Sequence, residues 1–133
     1  MTHLLDTQAC VSILRGHPTA QARMASHLPS DLGVSMVSVF ELFSGVEACR
    51  SPGRERARVE LFLSPLVLIP FDLEAARLAA TVRRQLERQG RRIGPYDLLL
   101  AGQAMSLDLT LVTENQREFS RIPNLRLESW ENV

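Results

Sequence analysis

The sequence contains no lysine: its 15 basic residues are all arginine, set against 15 acidic ones for a formal net charge of zero. That balance excludes a protein that holds nucleic acid by bulk electrostatics alone, so a polyanionic partner would have to be met by local clusters. There are only two cysteines, Cys10 and Cys49, with no CxxC pair and no Cys/His knuckle, which leaves them as small buried hydrophobes. The three histidines, His3, His17 and His27, likewise lack metal-ligand spacing. No apolar run approaches the ~20 residues of a membrane span, and MTHLLDTQAC carries an acid where a signal peptide carries positive charge, so no membrane contact and a cytoplasmic location are expected. Helix-turn-helix spacing and a strongly basic recognition helix are also missing, which argues against a small DNA-binding regulator.

The arginines that are present bunch in RSPGRERAR (50–58), in RRQLERQGRR (83–92) and in the tail from Arg117 to Arg126. Arginine offers a planar fork for phosphate or carboxylate, although such runs also serve as solvated helix faces. With 133 residues, 45% hydrophobic and 23% charged, the chain reads as a single compact domain over 1–133, neither disordered nor fibrous.

HLLD reads as a short buried strand ending in Asp6, followed by a helix over 7–15 that Gly16, His17 and Pro18 break. A second helix is expected over 20–27, a strand GVSMVSV over 33–39, and a helix over 40–48. The segment SPGRERARVELFLSPL mixes proline, glycine and charge, and LVLIP is the third strand. A long helix follows, capped by Asp72 and stopped by Gly90, with Ala76, Ala79, Val82 and Leu86 on one stripe. Pro95 opens another helix running to about Ser106, LTLVT (109–113) is a fourth strand, and NLRLESW adds an edge strand. Strands alternating with helices predict an α/β class chain: a three-layer α/β/α sandwich around a central, mostly parallel sheet.

In such a sheet the strand ends open into one crevice, and the point acids fall there: Asp6 after the first strand, Glu41 after the second, Asp97 at the start of the Pro95 helix, and Asn115 after the fourth. Each has an ordinary role to hand. Asp6 can cap the first helix, Glu41 can close an S-x-x-E capping box with Ser38, and Asp97 can favour a helix dipole. Yet each lies in an apolar setting where an unpaired charge is costly, and converging carboxylates repel by roughly 1–4 kcal/mol per pair at ~4 Å. A divalent cation is the natural compensator, and all-oxygen ligands suit Mg²⁺ or Mn²⁺ better than zinc.

With LLDT (4–7), SVFELFSGV (38–46), IGPYDLLLAGQA (93–104) and LVTENQREFSRIPNLRLESW (111–130) in this order, the chain resembles, nearly end to end, the PIN-domain ribonucleases, specifically the VapC-like toxins of bacterial type II toxin–antitoxin pairs. The resemblance implies a metal-dependent endoribonuclease that hydrolyses RNA phosphodiester bonds by metal-activated water, with Asp6, Glu41 and Asp97 as catalytic metal-binding acids and Mg²⁺ (Mn²⁺ substituting) as cofactor. Asn115 stands where many members carry Asp. Its oxygen remains a donor but removes one charge, which bears on a second metal, and Glu118 is an alternative donor. Ser38, Thr113 and Glu118 are implied as supports that hydrogen-bond the acids or their waters, and Arg83, Arg84 and Arg92 as contacts to the RNA backbone. A homodimer, a cognate VapB-like antitoxin whose tail blocks the crevice with a basic side chain, and an RNA substrate such as tRNA or rRNA are further implications. Leu42, Phe43 and Val46, or Val59–Leu63, could supply a partner surface, with core as their default place.

Two other readings stand beside it. A non-catalytic PIN-like domain that binds RNA or protein is the closer, because Asn115 could mark a weakened site. A phosphoacceptor receiver domain has similar length and an acidic Mg²⁺ pocket, but it clamps its phosphoryl group with a lysine, and this chain has none.

Overall fold

Leu4 and Leu5 are both fully buried. Neighbouring side chains of a strand point to opposite faces, so this requires a sheet covered on both sides. The computed structural model, which describes residues 1–132, shows how. Strand β1 (His3–Leu5) is the centre of a five-stranded sheet of order β3-β2-β1-β4-β5, with β2 at Leu32–Ser35, β3 at Val67–Ile69, β4 at Thr110–Val112 and β5 at Leu127–Glu128. Every pairing is parallel, with Leu5 in register with Val34 and with Val112.

Helices α1 (Thr7–Leu14), α2 (Pro18–Ala25), α3 (Met36–Ala48) and α4 (Pro52–Leu63) cover the face carrying Leu5, Val34 and Val112, where Trp130 is also buried. Helices α5 (Leu73–Arg88), α6 (Pro95–Ser106) and α7 (Gln116–Phe119) cover the face carrying Leu4 and Leu111. The chain builds β1, β2 and β3 outward in one direction, then returns to the other side of β1 with β4 and β5. The reversal lies between β1 and β4, where open α/β sheets bind their ligands. The expected α/β/α sandwich is present.

Local chemistry accounts for the departures from expectation. The second strand ends at Ser35 rather than running to residue 39, because the Ser35 hydroxyl accepts from the Val37 amide at 3.0 Å and caps α3. Ser38 is therefore inside the helix, not its cap, and the capping box with Glu41 does not form. Pro18 begins α2 instead of breaking the chain before it, with His17 Nδ1 accepting from the Ala20 amide. Pro52 likewise starts α4 in a segment whose composition gave no helix. On α5 the buried stripe is Ala75, Ala79, Val82 and Leu86, and Ala76 is exposed. Asp72 does cap this helix, accepting from the Ala75 amide, and Gly90 ends it at a positive φ of 67°. Leu42, Val46, Val59 and Leu63 are core, and Phe43 packs against them. Cys10 is buried, which pushes its thiol pKa up, whereas Cys49 is only half-buried.

Helices α5 and α6 meet through small residues. A methyl group on Gly102 would stand 2.7 Å from both Ala79 Cβ and the Ala79 amide nitrogen, and 2.8 Å from the Ala75 carbonyl oxygen. Gly102→Ala therefore has to push the two backbones apart, and overpacking outweighs the gain in helix propensity. Urea unfolding should show a net loss of about 1–2 kcal/mol. A variant as stable as the parent would mean that the α5–α6 approach is not a constraint.

Candidate functional site

The site begins with the exit of β1. Asp6 follows Leu5 directly, lies only 3% exposed, and its Oδ1 accepts from the Ala9 amide at 2.7 Å. The side chain thus caps α1 and faces the gap between β1 and β4 at once. Its amide donates to the Val112 carbonyl, and buried Thr113, whose hydroxyl accepts from the Asn115 amide at 3.0 Å, follows β4 across that gap. Burial pushes the Asp6 pKa up to about 6. The Thr113 and Ala9 bonds pull against this, and the charges of Asp97 and Glu114 add to it.

Asp97 is in the first turn of α6, on the helix that the α5 seam holds in place. Desolvation raises its pKa, the Asn115 amide lowers it, and the charges of Glu118 and Glu41 raise it again. Glu41 reaches in from α3, where its Oε1 accepts from the Thr7 hydroxyl at 2.7 Å. Thr7 Oγ1 is also 2.9 Å from Ser38 Oγ. A hydroxyl carries one proton, so with Thr7 donating to Glu41 it is Ser38 that donates to Thr7. Asn115 turns its amide nitrogen toward the acids, 2.8 Å from Glu118 Oε2 and 3.4 Å from Asp97 Oδ2. It therefore bridges two carboxylates as a donor, rather than offering its oxygen.

Asp6, Glu41, Asp97, Asn115 and Glu118 are thus brought into one crevice, with Ser38 and Thr113 supporting them. Thr7 was missed in the sequence: beside an acid at a helix start it reads as part of the cap. Glu114 was missed as well. It accepts from the Ser129 hydroxyl and from the Trp130 and Glu131 amides, and so ties residues 129–131 to the turn after β4. Arg83 and Arg92 line a cavity of about 430 Å³ that Pro95 and Tyr96 close beside Asp97. Arg84 does not line that cavity; it shares with Arg83 a neighbouring one of about 400 Å³ bounded by Phe71, Leu98 and Leu99. Tyr96 meets Phe40 edge-on, with ring centroids 5.9 Å apart, and both rings are exposed.

Among the described residues, none of the carboxylates of Asp6, Glu41, Asp97, Glu114 or Glu118 forms an ion pair with an arginine, although other acids of the chain do so. The crevice holds hard oxygen donors, Asp6 buried and Glu41, Asp97 and Glu118 half-buried, with no arginine paired to them, a donor set that fits a divalent cation of the Mg²⁺ or Mn²⁺ kind. The acids are held somewhat apart: the one group of three His, Cys, Asp or Glu side chains whose ligand atoms all lie within 4.8 Å, among the described residues, is elsewhere.

An all-parallel sandwich with unpaired carboxylates at its reversal point defines a class, and comparison with known proteins narrows it. The PIN domain model matches residues 3–125. A tRNA(fMet)-specific endonuclease VapC from Salmonella typhimurium is 37% identical over 127 residues, 96% of each chain. Ribonuclease VapC2 from Rickettsia felis is 35% identical over 133 residues, covering 98% of this chain and 99% of that protein. The crystal structure of DNA-bound VapBC from Salmonella typhimurium superposes with a TM-score of 0.93 at 37% identity, over 98% of both chains. The chain belongs to the PIN-domain family, among its VapC ribonucleases.

The Asp6 carboxyl sets a pH dependence. Its folded value of about 6 lies above the ordinary 3.8, so between roughly pH 4 and 6 the folded chain keeps a proton that the unfolded chain has released. Stability without added metal is therefore lost as pH rises through that window. Asp6→Asn keeps an acceptor for the Ala9 amide and removes the charge. It should be more stable than the parent by about 1–3 kcal/mol at pH 8 in a chelator, with a flattened slope between pH 4 and 6. Equal stability of the two proteins at pH 8 would contradict the uncompensated charge.

Proposed function

We propose that the protein is a Mg²⁺-dependent endoribonuclease toxin that acts in the cytoplasm and is restrained by a VapB-like antitoxin. The observation that carries this reading is the set of unpaired carboxylates at the β1–β4 reversal. Asp6 and Asp97 would hold the cation, with Glu41 facing them and Asn115 or Glu118 completing the shell. When bound, the cation supplies positive charge for the phosphoryl oxygens and lowers the pKa of an attacking water.

The remaining work falls to this chain's own side chains. Asp6 is fixed by the Ala9 amide of α1, so its oxygen cannot swing away when a substrate phosphate approaches. Thr7, itself held by Ser38, aims the Glu41 carboxylate, which is then positioned to take a proton from water. Asn115 keeps Glu118 and Asp97 from repelling one another apart. The exposed Phe40 and Tyr96 rings offer stacking faces for a base next to the reacting phosphate, and Arg83 and Arg92 offer phosphate contacts.

The relatives support an RNA substrate: one is named a tRNA(fMet)-specific endonuclease, which makes tRNA the first candidate here. A groove of about 260 Å³, lined by Val11, Leu14, Leu42, Val46 and Val59 and reaching Glu41, suits the apolar side chains of an antitoxin tail ending over the acids. The solved relatives from Salmonella typhimurium and Rickettsia felis are VapBC structures, which supports a VapB-like partner.

Purified protein free of any partner should cut an RNA pool with Mg²⁺ or Mn²⁺ and not with EDTA. Asp97→Ala and Asp6→Asn should lower the rate by at least about 100-fold. Binding of RNA without cleavage under every metal would instead favour a non-catalytic PIN-like domain. A second expectation concerns Asn115. Asn115→Asp replaces a bridging donor with a third charge beside Asp97 and Glu118, which should lower the metal-free melting temperature and make Mg²⁺ restore it more than in the parent. A variant with unchanged melting in chelator would show that Asn115 does not offset the acids.

A further inference from the structure

Outside the crevice, the fold brings together three potential ligands far apart in the chain. His3 on β1, His27 just beyond α2 and Glu128 on β5 place one ligand atom each within 4.8 Å of the others. His3 Nε2 is 3.2 Å from Glu128 Oε2. A tetrahedral ion with bonds of ~2.1 Å separates its ligand atoms by ~3.4 Å, so the His3–Glu128 pair already has the required spacing and His27 needs to close only a short gap.

The surroundings orient all three groups. His27 Nδ1 is 2.8 Å from the Arg23 carbonyl oxygen. An N–H must lie between them, which leaves Nε2 as a free lone pair. His3 Nδ1 is 2.6 Å from the Thr2 hydroxyl, so its Nε2 is likewise turned inward. On Glu128, Oε1 is taken by the Arg23 guanidinium at 3.0 Å and the Trp130 indole N–H at 2.8 Å, which presents Oε2 to the imidazoles. The His27 ring stacks on the buried Trp130 ring, with centroids 5.2 Å apart. Outer hydrogen bonds that fix each ligand's tautomer and rotamer are what metal-binding histidines characteristically have. Burial opposes ionisation of Glu128, but bonds from Trp130, His3 and Arg23 hold its carboxyl below the usual range, so the anion is the form present at neutral pH.

We propose that His3, His27 and Glu128 form a binding site for a late first-row divalent cation, with Zn²⁺ as its best match. Two imidazoles and one carboxylate oxygen leave a fourth position for water. The ion would join the start of β1, the end of α2 and the edge strand β5, which otherwise touch through side chains alone. Its role is structural, and the site is distinct from the all-oxygen crevice, whose donors suit Mg²⁺.

Untagged full-length protein, stripped with chelator, can be titrated with Zn²⁺ in excess Mg²⁺, with affinity and thermal unfolding as readouts. The parent and Asp97→Asn should each bind one Zn²⁺ per chain and melt several degrees higher with it. Glu128→Gln and His27→Gln should bind at least about tenfold more weakly and lose that shift. If His27→Gln fails to fold by circular dichroism, Glu128→Gln decides. No binding by the parent in excess Mg²⁺, or equal binding by Glu128→Gln, overturns the site. Loss of binding in Asp97→Asn with retention in Glu128→Gln also overturns it, by placing the zinc among the acids.

Discussion

The constraint on which this molecule depends is electrostatic: several carboxylates, buried Asp6 among them, share one crevice with no arginine paired to them, at a cost in repulsion and desolvation. A chain with 15 arginines has ample means to neutralise that cost and does not use it there. The fold resists the repulsion through position instead. Asp6 cannot retreat because it caps α1, Asp97 cannot because α6 is locked against α5, and Glu41 is held by Thr7. What remains is a standing demand for a small, highly charged cation.

The topology explains why residues so far apart in sequence share one place. A parallel sheet delivers all its strand ends to the same side, and the reversal of strand order between β1 and β4 opens a gap exactly there. Asp6 and Thr113 are the first residues past those two strands, both are buried, and the Asp6 amide bonds the Val112 carbonyl across it. The site is thus a product of strand direction before it is a product of side-chain chemistry.

Much of this was legible in the sequence, for identifiable reasons. The short apolar runs HLL, LVLI and LTLV read as buried strands, and in a parallel sheet the acids that end them or open the following helices fall on the crevice side. The boundary at Ser35 was hidden because the three valines of VSMVSV favour a strand, and capping by a serine competes with that propensity only through a single hydrogen bond. Helix α4 was hidden because proline and glycine punctuate its start, where both are in fact tolerated. The bridging orientation of Asn115 depends on Glu118 one helical turn away and needed coordinates. His3 and His27 showed no ligand spacing because they converge through the edge strand, a relation that no linear pattern records.

The seam between α5 and α6 divides labour within the α5 helix. Its inner face is alanine, closely fitted to Gly102, and fixes the axis on which Asp97 rides; its outer face is arginine and exposed. Substitutions on the outer face leave the axis of the helix where it is, whereas substitutions on the inner face tilt it and carry the acid with them. Surface charge and the aim of the carboxylate are thus separable on opposite sides of the same cylinder.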